Sequence, residues 1–104
     1  MPKTEEVIGL IGLGAVGTGL SMHLVECGYR LLVADARPRA AFADLLAAGK
    51  GQLEWATTED LCRRCTVVMT SLPSVAIIAL VAETYIIPHM RKSPATWIDL
   101  STVR

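Results

Sequence analysis

The chain has 104 residues, enough for one small domain with a single core and too few for a second domain of similar size. Ten basic and ten acidic residues cancel, so the chain lacks the positive excess with which proteins neutralise a nucleic-acid backbone. A hydrophobic share of 52% favours a buried α/β core over disorder. We therefore expect one folded domain over residues 1–104 and no nucleic-acid partner.

The chain shows no signal for secretion or membrane insertion. Residues 1–6 are polar and carry both charge signs, unlike the basic and then apolar start of a secretory signal. The longest uncharged stretch, residues 66–82, is interrupted by Ser71, Pro73 and Ser74, whereas a bilayer span needs about 20 continuous apolar residues. We expect no membrane contact and a cytoplasmic location, with the mitochondrial matrix as the alternative.

Three cysteines, an odd number, argue against a disulfide framework. Cys62 and Cys65 form a C-x-x-C pair, which raises a redox or a zinc role as alternatives. A redox role needs a thiol of low pKa, and zinc needs two further ligands, for which only Cys27, His23 and His89 are available, scattered along the chain. The pair is interpreted as small buried or half-buried thiols, and no metal site is expected.

Short apolar runs alternate with segments of helical periodicity along the whole chain. The first run, VIGLI, is typical of a strand covered on both faces, and the run at 53–55 is the weakest strand signal. Gly28 stands at the end of a predicted helix, where glycine is favoured. Pro38 stands in the first turn of the next helix, which tolerates proline, and Thr57 can cap the start of the one after it with its hydroxyl. The predicted strands are residues 7–11, 29–34, 53–55, 66–70 and 97–100. The predicted helices are residues 15–27, 38–49, 57–64 and 75–85.

This alternation predicts a doubly wound parallel sheet in the Rossmann order, because each helix must carry the chain back across a face of the sheet. The helix predicted over 75–85 has apolar residues on nearly every side. Such a helix needs cover on more than the side that faces the sheet.

The pattern Gly12-x-Gly14-x-x-Gly17 leaves the first strand and opens the first helix. In that setting the first glycine permits a tight turn, the second lets a pyrophosphate approach the backbone, and the third lets the helix pack closely on its strand. Free N–H groups at the helix start would supply donors and positive potential. A plain strand-to-helix turn is the alternative. The candidate cofactor-binding residues here are Gly12, Leu13, Gly14, Ala15, Val16 and Gly17.

Asp35 stands at the carboxyl end of the second predicted strand, 23 positions beyond Gly12. A carboxylate there can accept hydrogen bonds from both ribose hydroxyls of an adenosine and would repel a 2′-phosphate, which favours NAD over NADP. Arg37 and Arg39 leave NADP open, because either could reach a phosphate by turning inward. Solvated surface arginines are the other outcome.

Ligands of open α/β sheets bind beyond the carboxyl ends of the strands. Gly12 follows the first predicted strand, Asp35 the second, the segment Ser71-Leu72-Pro73 the fourth, and Ser101-Thr102 the last. Small, hydroxyl or turn residues therefore occupy each of these ends, and together they predict one cleft.

Four motifs in order resemble the β-hydroxyacid dehydrogenases, the family of 3-hydroxyisobutyrate dehydrogenase and 6-phosphogluconate dehydrogenase. They are the glycine pattern, Asp35-x-x-Pro38, Ser71-Leu72-Pro73 and residues 98–102, and the resemblance covers residues 7–103. It implies NAD(P)-dependent oxidation of a 3-hydroxy acid, or reduction of the corresponding aldehyde or keto acid. It also implies that Leu72, Pro73 and Thr102 touch the cofactor, with Ser71 and Ser101 as weaker candidates.

The resemblance also implies parts that these 104 residues do not show. The family's substrate-binding glycine loop, catalytic lysine and all-helical dimer-forming domain have no counterpart, and neither Lys50 nor Lys92 stands in the lysine motif. We therefore expect a fragment that holds the cofactor without turning over substrate, and a homodimer or tetramer as the full protein. The alternatives are an imine-reducing relative, a non-catalytic dinucleotide-binding module, and a methyltransferase that binds S-adenosylmethionine.

Overall fold

The structure, a computed structural model, describes residues 7–90 and 96–101 of the chain. Within these residues five strands form one sheet in the order β3-β2-β1-β4-β5, and every neighbouring pair is parallel. The strands are β1 (Val7–Ile11), β2 (Arg30–Ala34), β3 (Leu53–Trp55), β4 (Val67–Thr70) and β5 (Thr96–Asp99). This confirms the predicted Rossmann-type sheet, including its weakest strand, β3.

Helices cover both faces of the sheet. They are α1 (Ala15–Glu26), α2 (Ala43–Ala48), α3 (Thr58–Arg64), α4 (Val75–Val81) and α5 (Ile87–Met90), with a 3₁₀ turn (Arg39–Phe42) before α2 and a π-helical segment (Ala82–Ile86) between α4 and α5. Successive residues of a strand point to opposite faces. Leu10 and Val33 accordingly pack with side chains of α1 and α2, whereas Ile11 and Leu32 pack with α3 and the π segment.

The helix starts follow the sequence signals. The hydroxyl oxygen of Thr57 accepts a hydrogen bond from the Asp60 amide at 3.1 Å, and that of Ser74 accepts one from the Ile77 amide at 3.2 Å. Each bond satisfies an N–H group that the first helical turn leaves without a partner. The second of these caps fixes where α4 leaves the turn that follows β4.

Several predicted boundaries were wrong by one residue, the helix predicted over 38–49 begins with a 3₁₀ turn, and the largest error is at the end of the helix predicted over 75–85. The helical run that begins at Val75 does not stop at Tyr85 but continues through the π segment and α5 to Met90. Pro88 has no N–H group and its ring crowds the preceding turn, and the helix widens to π geometry directly before it, which lets the run continue. The last strand lies at Thr96–Asp99, one residue earlier than predicted, because Asp99 pairs with Thr70 at the end of β4.

The helical run α4-π-α5 packs one side on the sheet and leaves other apolar side chains exposed. Ala82 and Ile86 are buried, whereas Val75, Leu80 and Ile87 are exposed. The cover predicted for the remaining sides of this helix is not found among residues 7–90 and 96–101, so it stays a prediction. None of the helices within these ranges is long and apolar enough to cross a bilayer.

The C-x-x-C pair belongs to the core. Cys62 and Cys65 are buried beside Leu61, and burial raises the pKa of Cys62 to about 11 and that of Cys65 to about 12. Thiols that stay protonated at neutral pH are poor nucleophiles and poor metal ligands. In the described part of the chain, no group of three His, Cys, Asp or Glu residues is placed to hold a metal ion. The interpretation of the pair as buried thiols is confirmed.

A thiol titration checks this assignment. With a thiol-specific disulfide reagent at pH 7.5, we expect only Cys27, which is exposed, to react rapidly in the folded chain, and all three thiols to react in denaturant. Cys27→Ser serves as the control and is expected to remove the rapid phase. Rapid reaction of Cys62 or Cys65 under native conditions would contradict the assignment.

Candidate functional site

A cleft of about 840 Å³ opens at the carboxyl ends of the strands. The ends of β1, β2, β4 and β5 all contribute to it, as the strand-end argument predicts for an open α/β sheet. Its lining comprises Ile11, Gly12, Leu13, Gly14, Ala15, Val16, Asp35, Ala36, Arg37, Thr58, Ser71, Leu72, Pro73, Ile77, Leu80, Val81, Tyr85 and Leu100. Of the predicted site residues, Gly17 is buried and does not line the cleft, and Thr102 lies outside the described residues.

The glycine turn, residues 12–17, joins β1 to α1 in a shape that side chains would prevent. Gly12 has φ 104°, its amide donates to the Ala34 carbonyl at 2.8 Å, and a Cβ on it would collide with the Ser71 carbonyl oxygen. A Cβ on Gly17 would collide with the Gly12 carbonyl oxygen. A Cβ on Gly14, by contrast, would meet no atom within 4 Å. Gly12 and Gly17 thus fix the turn, and Gly14 leaves its open side free.

The start of α1 has no side-chain cap on its own N–H groups. Gly14 is the N-cap and brings no side chain, and the first turn of this 12-residue helix contains no acidic residue. The first N–H groups of a helix have no partner within the helix, and the helix dipole adds positive potential there. Together with the open space above Gly14, this cradle fits an anionic group such as a pyrophosphate.

Asp35 is tied to the glycine turn rather than open to solvent. Its Oδ2 accepts from the Leu13 amide at 2.7 Å, and its Oδ1 accepts from the amide and the Nε of Arg37 at 2.9 and 3.0 Å. The side chain is only 8% exposed. Burial raises the pKa of Asp35, but the hydrogen bonds from Arg37 and Leu13 outweigh it and hold that pKa below its ordinary value. The carboxylate is therefore ionised and braces the turn.

Of the two outcomes left open for the arginines after β2, Arg37 bends back onto Asp35 and the glycine turn and keeps part of its side chain in solvent. Its guanidinium also donates to the Leu13 carbonyl at 3.2 Å and lies over the Phe42 ring, with 4.8 Å from Cζ to the ring centroid. Its side chain is still 58% exposed toward the cleft. Arg39 instead lines a separate depression of about 460 Å³ between α2 and β3.

The Ser-Leu-Pro turn, residues 71–73, forms the opposite wall. The Ser71 amide donates to the Ile11 carbonyl at 2.9 Å, and the Leu72 amide donates to the Ser101 hydroxyl oxygen at 2.7 Å. These two bonds hold the turn between the end of β1 and the segment after β5.

An apolar wall from α4 and the π segment was not among the predicted site residues. Ile77, Leu80, Val81 and Tyr85 line the cleft, and Thr58 at the start of α3 lies beside them. The sequence pattern of this helix indicates only that it needs more cover. The spacing of 77, 80–81 and 85 is that of one helix face. The sequence signal for this wall is the apolar helix face that begins at Ile77, four residues after the Ser-Leu-Pro turn, in addition to the face that packs on the sheet.

A parallel sheet in this order, with a glycine turn opening a helix at its centre, defines a Rossmann-type dinucleotide-binding domain. Residues 7–104 match the family model described as the NAD binding domain of 6-phosphogluconate dehydrogenase, and the chain belongs to that family. The resemblance to β-hydroxyacid dehydrogenases is confirmed.

The proteins that this chain is similar to are longer than it is. Mitochondrial 3-hydroxyisobutyrate dehydrogenase of Drosophila melanogaster is 33% identical over 96 residues, which are 92% of this chain and 28% of that enzyme. An imine reductase from a Pseudomonas species superimposes with TM-score 0.80 and 20% identity, over 97% of this chain and 34% of that one. A reductive aminase from Aspergillus terreus in complex with NADPH gives TM-score 0.76 and 20% identity, over 95% and 32%. The chain thus spans about a third of the length of each of these proteins.

Proposed function

We propose that this chain binds a nicotinamide adenine dinucleotide in the cleft, with the pyrophosphate on the glycine turn. The single observation that carries the proposal is the uncapped start of α1 beneath the open side of Gly14. Backbone N–H donors and the helix dipole there suit two phosphates, and the walls leave room on either side for a nucleoside. The proposed contacts are Gly12, Leu13, Gly14, Ala15, Val16, Gly17, Asp35, Arg37, Ser71, Leu72, Pro73 and Thr102.

The adenosine half is proposed to lie toward Asp35 and the apolar wall of α4. Ile77 and Leu80 offer an apolar surface for the base, and Asp35 stands where its carboxylate can accept from a ribose hydroxyl. We propose that NAD is preferred, because the carboxylate repels a 2′-phosphate. Arg37 reduces that preference, since its exposed guanidinium partly neutralises the carboxylate and can approach a phosphate.

The nicotinamide half is proposed to extend past the Ser-Leu-Pro turn. When bound, the nicotinamide ring supplies hydride transfer, and the residues of this chain hold and orient it. For the whole protein we propose the oxidation of a 3-hydroxy acid, or the reduction of the corresponding aldehyde or keto acid. The 33% identity to a 3-hydroxyisobutyrate dehydrogenase supports that substrate class. We further propose that the 104 residues bind the dinucleotide without turning over such a substrate, since no lysine within them matches the family's motif.

Titration calorimetry of the full 104-residue chain tests the proposal. We expect NADH to bind at one site per chain, and S-adenosylmethionine at the same concentration neither to bind nor to displace it. A chain that is folded by circular dichroism and gives no heat with NADH or NADPH would contradict the proposal. Displacement of NADH by S-adenosylmethionine would favour the methyltransferase alternative.

A further inference from the structure

A chain of hydrogen bonds connects Asp99, the last residue of β5, with the Ser-Leu-Pro turn. Asp99 Oδ1 accepts from the hydroxyl of Thr70 at 2.8 Å, from the hydroxyl of Ser101 at 2.7 Å and from the Ser101 amide at 3.2 Å. The Ser101 hydroxyl oxygen in turn accepts from the Leu72 amide at 2.7 Å. The Asp99 network thus joins groups that are 29 positions apart in sequence.

The donors fix the direction of each bond in the Asp99 network. A backbone amide and an indole N–H can only donate. Because an ionised carboxylate can only accept, the Thr70 and Ser101 hydroxyls direct their own protons to Asp99. Their oxygens accept in turn from Trp97 Nε1 at 3.0 Å and from the Leu72 amide. Burial raises the pKa of Asp99, but the hydrogen bonds from Ser101 and Thr70 outweigh it and hold that pKa below its ordinary value. The carboxylate is therefore the ionised acceptor on which the network ends.

The Asp99 network ends at the wall of the proposed cofactor site. In the Ser-Leu-Pro turn, Pro73 has no N–H group and the Ser71 amide donates to the Ile11 carbonyl. The Leu72 amide is therefore the donor of this turn that bonds to Ser101, after β5. The Leu72 side chain lies directly against the glycine turn, with its Cδ2 3.2 Å from where a Cβ on Gly12 would stand. A displaced Leu72 would therefore change the shape of the cleft beside the glycine turn.

We propose that Asp99 is a positioning residue for the dinucleotide, which acts through the Ser101 hydroxyl to hold Leu72 and Pro73 at the nicotinamide end of the cleft. This inference rests on the proposed function. Without the carboxylate, the Ser101 hydroxyl is free to rotate and to offer its proton elsewhere, so the Leu72 amide loses a fixed acceptor. The bonds from the Leu13 amide to Asp35 and from the Gly12 amide to the Ala34 carbonyl lie outside this network, so the contacts of the pyrophosphate and adenosine depend on it less than those of the nicotinamide.

The test compares NADH with ADP-ribose, which has the same adenosine and pyrophosphate but lacks the nicotinamide. We expect Asp99→Ala and Ser101→Ala, in the full chain, each to weaken NADH binding about fivefold, the effect of losing one net hydrogen bond. ADP-ribose affinity is expected to fall clearly less than NADH affinity. The double variant, with both Asp99→Ala and Ser101→Ala, should bind NADH no more weakly than Ser101→Ala alone. Ser101→Thr keeps a hydroxyl and should bind NADH as tightly as the wild type. Asp44→Ala, which removes an exposed carboxylate on α2, is the matched control and should change neither affinity.

Each other outcome contradicts the inference in a distinct way. Equal losses for NADH and ADP-ribose would indicate general damage to the fold, and additive losses would show that Asp99 does not act through Ser101. Unchanged NADH affinity in both variants would show that the network positions nothing. If Asp99→Ala fails to fold, the pair Ser101→Ala and Ser101→Thr decides the matter alone. A wild-type chain that binds neither NADH nor ADP-ribose overturns the proposed function itself. If the wild type binds NADH and the variants bind it equally well, only this inference is overturned.

Discussion

Gly12→Ala is expected to lower the free energy of unfolding by about 3 kcal/mol, because two costs coincide at this position. The residue has φ 104°, which a side chain makes unfavourable, and the added Cβ would collide with the Ser71 carbonyl oxygen. The carbonyl belongs to the backbone and cannot rotate away. Urea denaturation followed by circular dichroism measures the loss, and NADH binding is expected to disappear with it.

Gly14→Ala is the matched control for that variant. Gly14 has φ −76°, and a Cβ there meets no atom within 4 Å, so we expect the variant to lose only about 1 kcal/mol of the free energy of unfolding, the cost of alanine at an N-cap. Its methyl group nonetheless occupies the space above the start of α1 and should weaken NADH binding at least tenfold. Equal stability of Gly12→Ala and Gly14→Ala would contradict the description of the turn. Unchanged NADH affinity of Gly14→Ala would contradict the placement of the pyrophosphate.

Asp35→Ala is expected to shift the ratio of NADPH to NADH affinity toward NADPH by about tenfold, the effect of removing one charge-assisted hydrogen bond. The carboxylate no longer accepts from the ribose or repels a 2′-phosphate, and Arg37 is released to meet that phosphate. Arg37→Ala should shift the ratio in the opposite direction. Titration calorimetry with both reduced cofactors measures each ratio.

The ratio, rather than either affinity, is the decisive quantity, because Asp35 also braces the Leu13 amide and its loss disturbs the glycine turn for both cofactors. Asp35→Asn keeps an acceptor for that amide and should shift the ratio in the same direction with a smaller loss of overall affinity. Arg39→Ala is the control, since Arg39 lies in the separate depression beside β3, and it should leave both affinities unchanged. A ratio that is the same in the wild type and in Asp35→Ala would refute the assignment of Asp35 to cofactor choice.

The fold followed closely from local patterns in the sequence. Buried parallel strands need short apolar runs and each crossover needs a helix, so the run at residues 7–11 and the helix after Gly14 could be placed from spacing alone. The error at Tyr85 arose because a helix that continues past Pro88 depends on a π segment, and no local pattern announces that geometry. Boundaries of this kind are set by packing on the sheet.

The cleft was predicted less completely than the sheet. The glycine turn and the residues at the strand ends were found, because parallel strands end at one edge. Which atoms bond there depends on residues 22 to 29 positions apart, as for Asp35 with Leu13 and Asp99 with Thr70. Contacts between residues so far apart in sequence, and the direction in which Arg37 turns, can be seen only in the tertiary structure. Sequence reasoning therefore placed Asp35 facing a ribose and did not find that it braces the glycine turn.

The most direct test of the proposed binding site is amide chemical-shift mapping of the isotope-labelled full chain during an NADH titration. We expect the largest shifts at the amides of Gly14, Ala15 and Val16, where the start of α1 meets the pyrophosphate. Smaller shifts are expected at Leu72, and none at Ala47 and Gly51 around the separate depression. Saturable shifts centred on that depression, with the glycine turn unchanged, would contradict the account.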